Sequence, residues 1–267
     1  MDAALLILKL LLPLAYLVTW ALYARLFFSE EEGSKARQAQ TVFLLTLGLH
    51  TALLLLLAVR FQRCPLGTQG EALLFMAWML AIMHAVSERS AATRRMGFFI
   101  LLPILFTAIP SLFLLGRDFS GIAERPSSWL IFHIVASLVS YASYSLAAIL
   151  AWLYLLLHRR LKQKRFDLTF RKLPPLDKLD RLSAWWAALG TLTMILSCII
   201  GFWWILHASV EGMKAREFAI YFVLAVFSFT EISRRAFGWR GKRHAQLVIA
   251  GFLILLLTNL LGAHGFR

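Results

Sequence analysis

The chain has 267 residues, 60% of them hydrophobic, with a net charge of +14 and a mean hydropathy of +0.72. A soluble domain of this length does not carry repeated uninterrupted apolar runs, so the composition marks an integral membrane protein and excludes a water-soluble globule. Nucleic-acid binding is not the meaning of the charge, because the cations gather in alternate loops as membrane topology requires. The two cysteines, Cys64 and Cys198, form no CxxC, CxxCH or zinc pattern, so the chain is not itself a c-type cytochrome.

Eight apolar runs, each bounded by charges, Pro or Gly, follow along the chain at about 3–28, 41–61, 71–88, 96–116, 128–158, 182–207, 216–233 and 244–263. Most reach the ~20 residues that cross a bilayer. The predicted fold is therefore all-α, a bundle of eight transmembrane helices forming a single polytopic membrane domain over 1–267, with no outer segment long enough to fold alone. The first run follows Met1-Asp2 without a basic n-region or an obvious cleavage site, and reads as a retained helix.

Lys and Arg set the orientation. The odd loops hold Lys35 and Arg37, then Arg89, Arg94 and Arg95, then a dense group from Arg159 to Arg181, then Arg234, Arg235, Arg240, Lys242 and Arg243. The even loops hold Arg60 and Arg63, Arg117 and Arg125, and Lys214 and Arg216. Cationic loops stay in the cytoplasm, so both termini are expected on the outer, periplasmic side of a bacterial inner membrane. His133 then sits about one turn into the fifth run from the outer face, His207 ends the sixth run on that side, and His264 follows the eighth.

The fifth run carries the clearest chemical pattern. His133, Ser137, Ser140 and Tyr144 fall at helical spacing and share one stripe. An intramembrane histidine is expensive, faces protein or a cavity, and is a functional-site hypothesis by default. Two neutral imidazoles facing each other across a gap can hold an iron porphyrin by both axial positions, and Trp129, Trp203 and Trp204 stand at the same outer level as His133, His207 and His264. Against this, the tryptophans also fit an ordinary interfacial belt, His207 fits an interfacial residue, and Ser137, Ser140 and Ala147 fit a close-packing face for a neighbouring helix.

The other polar residues read more plainly. Lys9 snorkels to the outer surface, Glu71, Glu88 and Glu231 are helix-end charges, and Asn259 makes an interhelical hydrogen bond. The loop 159–181 has two readings, a basic face against anionic headgroups and a docking site for a soluble partner. Its LPPLDKLDRL stretch from Leu173 predicts a short amphipathic helix leading into the sixth run. No phosphate loop, metalloprotease motif or nucleophile elbow appears, and no catalytic residue is nominated.

Several stretches resemble the cytochrome c assembly protein family: HIVASLVSYASYSLAAILAWLYLLLHRRLK from His133, LPPLDKLDRLSAWWAALGTLTMILSCIIG from Leu173, GWRGKR from Gly238 and NLLGAHG from Asn259. LGLHTALLLLLAVR and CPLGTQGEALLFMAWMLAIMHAVSE resemble its preceding helices, so the likeness covers about 40–267. The family includes the CcsA-type haem-lyase subunit and its smaller HemX and YpjD relatives. In the CcsA type a pair of outer-side histidines binds haem for attachment to apocytochrome, and the resemblance implies His133 and His264 for that pair, with haem b as cofactor and an assembly or haem-delivery subunit as partner. Two departures stand out. The tryptophan-rich segment of the lyases is replaced by HASVEGMKARE, and SFTEISRRAF lacks their histidine before the GWRG turn. Ligase activity is thereby put in doubt, and the length points to the HemX or YpjD branch.

Three function classes follow. The first is haem handling in cytochrome c assembly at the outer face. The second is a HemX-type regulatory or adaptor protein without bound haem, acting through its basic cytoplasmic loops. The third, a small-molecule transporter, finds no paired intramembrane charges, broken helices or internal repeat to support it.

Overall fold

The computed structural model describes residues 3–30, 33–88, 91–115, 128–165, 168–207 and 215–263. Among them the chain forms ten helices: α1 (Ala3–Phe28), α2 (Gly33–Phe61), α3 (Gln69–Ser87), α4 (Ala91–Arg95), α5 (Gly97–Leu114), α6 (Ser128–Lys162), α7 (Leu168–Lys172), α8 (Leu176–His207), α9 (Ala215–Ala236) and α10 (Lys242–Ala263). Eight are long and answer to the eight apolar runs; α4 and α7 are five-residue turns within loops. Six helices, α1, α2, α3, α5, α6 and α8, are long and apolar enough to cross a membrane.

Two boundaries differ from the sequence reading. α2 begins at Gly33, because the polar stretch SKARQAQ contains no breaker and continues the apolar run outward. The amphipathic stretch after Pro174-Pro175 is not a separate helix but the first turns of the 32-residue α8. Pro175 starts it by accepting from the amides of Lys178 and Leu179, and no further proline interrupts it before its end.

The helices pack as two units. The first comprises 1–127 with 167–173, the second 128–166 with 174–267. In the first, α1 turns Leu12, Tyr16, Thr19, Tyr23 and Leu26 inward at i, i+3/i+4 spacing. Three of these are polar, and each finds a partner. The Tyr16 hydroxyl meets His50 Nδ1 at 2.8 Å, the Thr19 and Thr46 hydroxyls are 2.9 Å apart, and Tyr23 donates to Glu88 at 2.5 Å.

Both ends of this unit are closed by ionic contacts. Glu71 accepts from Arg63 through both its oxygens at 2.8 and 2.9 Å, from the amides of Gly67 and Thr68, and shares a capping box with Thr68. Lys9 donates to the Leu115 carbonyl at 2.8 Å, closing the C-terminal end of α5. Lys172 of α7 donates to the Ser29 carbonyl at 2.8 Å and pairs with Glu30 at 3.3 Å, so this part of the loop 159–181 is anchored rather than free.

Glu88, the residue that caps α3, is buried beside Tyr23, with Arg94 Nε at 3.7 Å. Burial pushes its carboxyl from the ordinary 4.5 up to about 7, while the Tyr23 hydroxyl and Arg94 pull the other way. The folded state thus holds this proton more tightly than the unfolded chain. Glu88 contributes full stability below about pH 4.5 and loses it as pH rises through about 7. Glu88→Gln keeps an acceptor for Tyr23 without the titration. Its thermal midpoint should vary less than the parent's between pH 5 and 8, by the order of 2 kcal/mol in stability; equal pH slopes would remove Glu88 from the balance.

In the second unit α6 and α8 pack along each other, with α9 and α10 against them. Ala136, Ser140, Ser143, Ala147 and Ala151 are among the small buried residues of α6, and small residues let helix backbones approach. Ser140 donates to the Gly190 carbonyl at 2.9 Å and Ser183 to the Ala147 carbonyl at 2.9 Å. The ring of Tyr144 stacks on Phe227 of α9 at 3.5 Å, among Met194, Val223 and Leu255.

Candidate functional site

The stripe on α6 faces α8, and His133 heads it. His133 Nδ1 lies 2.9 Å from the Ser197 carbonyl oxygen and 3.2 Å from the Ser197 hydroxyl. A carbonyl only accepts, so Nδ1 carries a proton, and in the neutral imidazole Nε2 then keeps its lone pair. Ser137 fixes the backbone beneath: its hydroxyl donates to the His133 carbonyl at 2.9 Å and meets the Ser197 hydroxyl at 2.6 Å. The imidazole lies flat enough on α8 that a Cβ at Gly201 would come within 2.8 Å of His133 Cε1 and 2.9 Å of Nδ1. Glycine at 201 therefore leaves the ring its place.

Trp129 lies one turn before His133 on the same helix face. Its ring meets that of Trp203 at 5.0 Å, tilted by 48°, and both side chains are about half exposed. The structure thus joins α6 and α8 twice at this end, through His133 with Ser197 and through Trp129 with Trp203. The side chains of Trp204 and His207, and all of His264, lie outside the described residues.

Such an arrangement can do one chemical thing well. A ring whose Nδ1–H is committed to a backbone carbonyl presents a basic Nε2 in a fixed orientation, the outer-shell arrangement that metal-bound histidines use. Ser197 and Gly201, which hold His133, were read in the sequence only as part of the stretch SCIIG. Their four-residue spacing put both on one face of α8, but nothing in the sequence tied that face to His133.

Other residues behave differently from their sequence reading. Asn259 donates to the carbonyl of Leu255 one turn earlier at 2.8 Å, a bond within its own helix instead of between helices. Asp180, one of three acids in the basic stretch 159–181, accepts from Arg234 through both guanidinium nitrogens at 3.0 and 2.7 Å and from the Gly241 amide at 2.9 Å. It ties the α9–α10 turn to α8, a role that distance along the chain hides.

Comparison with known proteins finds relatives along most of the chain. The family model described as Cytochrome C assembly protein matches residues 66–263. The chain is 28% identical over 222 residues to Protein HemX of Brevibacillus brevis, covering 80% of this chain and 79% of that protein. It is 26% identical to the cytochrome c biogenesis protein CcsA of Chlamydomonas reinhardtii, over 79% of this chain but only 63% of that longer protein. To the CcsA of Mesostigma viride it is 25% identical, over 78% of this chain and 79% of the relative.

Proposed function

The chain belongs to the cytochrome c assembly protein family, and from that premise we propose that it handles haem at the outer face of the bacterial inner membrane, with His133 and His264 as the axial pair. The observation that carries this reading is the bond from His133 Nδ1–H to the Ser197 carbonyl, which leaves Nε2 as a fixed, basic nitrogen. Haem supplies an iron with two axial positions for imidazole. The residues present fit one of them: Ser197 and Ser137 orient His133, Gly201 makes room for its ring, and the exposed indoles of Trp129 and Trp203 offer apolar faces that exclude water beside it. His264, Trp204 and His207 complete the proposed site by their sequence positions at the same membrane level.

The proposal includes all eight long helices as transmembrane segments. α9 and α10 have 22 residues each, ~33 Å at 1.5 Å per residue, enough for the hydrocarbon core. The loop charges then put both termini outside. Haem b is the proposed form, since no CxxCH offers a covalent attachment. Delivery to or from an assembly subunit is the proposed partnership.

An absorption spectrum of the detergent-purified protein, as isolated and after dithionite, tests this beside His133→Ala and His264→Ala. A Soret band with low-spin reduced bands is expected, and loss of either ligand should weaken retention by an order of magnitude or more. A protein without Soret absorbance that takes up no added haemin would overturn the haem reading. The adaptor role through the basic loops, with residues 161–165 exposed at the end of α6 and just beyond it, would then stand in its place.

A further inference from the structure

The turn joining α9 to α10 is built more rigidly than a connection requires. The end of α9 is closed on itself: the amides of Phe237 and Trp239 both donate back to the Ser233 carbonyl, at 3.1 and 3.2 Å, and Gly238 between them takes the left-handed conformation at φ 65°. Trp239 packs edge-on against Phe229 at 6.1 Å and lies 6.1 Å from Phe237. Gly241 is also left-handed, at φ 64°. A Cβ there would meet the Tyr154 hydroxyl at 2.6 Å, and its amide is held by Asp180. Asp180 also holds Arg234, so the turn is fixed at both ends to α6 and α8 of its own unit.

The rigid turn displays an unusual outer surface. Phe237 is 64% exposed. Around it stand the exposed side chains of Arg235, Arg240, Lys242 and Arg243, with the Arg243 guanidinium over the Trp239 ring at 5.6 Å. Among the described residues, Arg235 is the one of these four with an acidic neighbour within ion-pair reach, Glu231 at 3.8 Å. α9 and α10, each of membrane-crossing length, meet here, so the turn falls where hydrocarbon gives way to headgroups. An apolar wedge ringed by unneutralised cations at that depth matches an acyl chain joined to an anionic phosphodiester.

We propose that the α9–α10 turn is a binding site for an anionic phospholipid, with Phe237 and Trp239 against the acyl region and Arg240, Lys242 and Arg243 on the phosphate. The site rests on α9 and α10 crossing the membrane and does not depend on haem. A soluble acidic protein would not use the exposed Phe237 at headgroup depth, whereas a lipid uses both the ring and the charges.

Native mass spectrometry of the full chain released from mixed phosphatidylglycerol and phosphatidylcholine micelles tests the site. The parent should retain phosphatidylglycerol in preference to phosphatidylcholine. The triple variant Arg240→Gln/Lys242→Gln/Arg243→Gln should lose that preference, roughly five-fold for each charge removed. Arg240→Gln alone, at an exposed position, guards against a folding defect and should lose about one such step. Lys162→Gln/Lys164→Gln/Arg165→Gln removes equal charge from the end of α6 and should keep the preference. Equal losses in both triple variants would reduce the effect to net charge and overturn the site, as would an unchanged preference in the turn variants. Displacement of the lipid by millimolar inorganic phosphate would mean a free-anion site instead and would also overturn it.

Discussion

Asp180→Ala is expected to cost about 3–5 kcal/mol of stability, because it strands a partly buried guanidinium. Asp180 and Arg234 form a bidentate pair whose side chains are only 10% and 14% exposed. Removing the acid leaves Arg234 uncompensated and takes the acceptor from the Gly241 amide as well. Asp180→Asn keeps a neutral acceptor and should cost less, about 1–3 kcal/mol. The double replacement Asp180→Leu/Arg234→Met, which removes both charges, should recover most of the loss. The fraction folded across an SDS titration in mixed micelles measures all four proteins. A single Asp180→Ala variant that unfolds with the parent would mean that the pair contributes nothing beyond solvation.

The sequence announced the membrane architecture because its signals are additive. Each apolar run is long, and eight in succession leave little choice of fold class. Helix ends were harder, since α2 and α8 extend through polar stretches whose boundaries hydropathy does not mark. The stripe His133, Ser137, Ser140, Tyr144 was legible because a helix repeats on itself. What it faces was not, because Ser197, Gly190 and Thr191 lie 47 to 64 residues away. The same limit hid the Asp180 clamp, 54 residues from Arg234 and 61 from Gly241. Asn259 failed in the other direction. Its position in an apolar run suggested a partner on another helix, yet it donates to the Leu255 carbonyl one turn back on its own helix.

The two readings of the α6 stripe are therefore not rivals. Ser140, Tyr144 and Ala147 form a packing face, and that packing brings Ser197 to His133. Helix association within a bilayer gains little from hydrophobic burial, so it depends on close backbone approach and interhelical hydrogen bonds. Those bonds run nearly the whole seam: Ser183 to Ala147, Tyr144 to Thr191, Ser140 to Gly190, Ser197 with Ser137 and His133. The orientation of one imidazole is thus a property of the entire helix pair.

Gly190→Val tests that dependence from about two turns away along α8. A Cβ at residue 190 would lie 2.7 Å from two ring carbons of Tyr144 and 3.2 Å from Ser143 Cβ. Tyr144 cannot swing aside, being fully buried and stacked on Phe227, so α6 and α8 must separate. A separation of even 1 Å stretches the 2.9 Å bond from Ser140 to the Gly190 carbonyl past the range where a hydrogen bond holds. Overpacking of this kind costs about 1–3 kcal/mol, and each broken seam bond adds about 1. The separation should also carry to His133, whose Nδ1–H loses the Ser197 carbonyl and with it the fixed tautomer. In the same SDS titration the variant should unfold earlier than Asp180→Asn. In the absorption assay it should retain less haem than its remaining folded fraction allows, although it touches no ligand. Haem retention that simply tracks the folded fraction would show that His133 is oriented locally, by Ser197 and Gly201 alone.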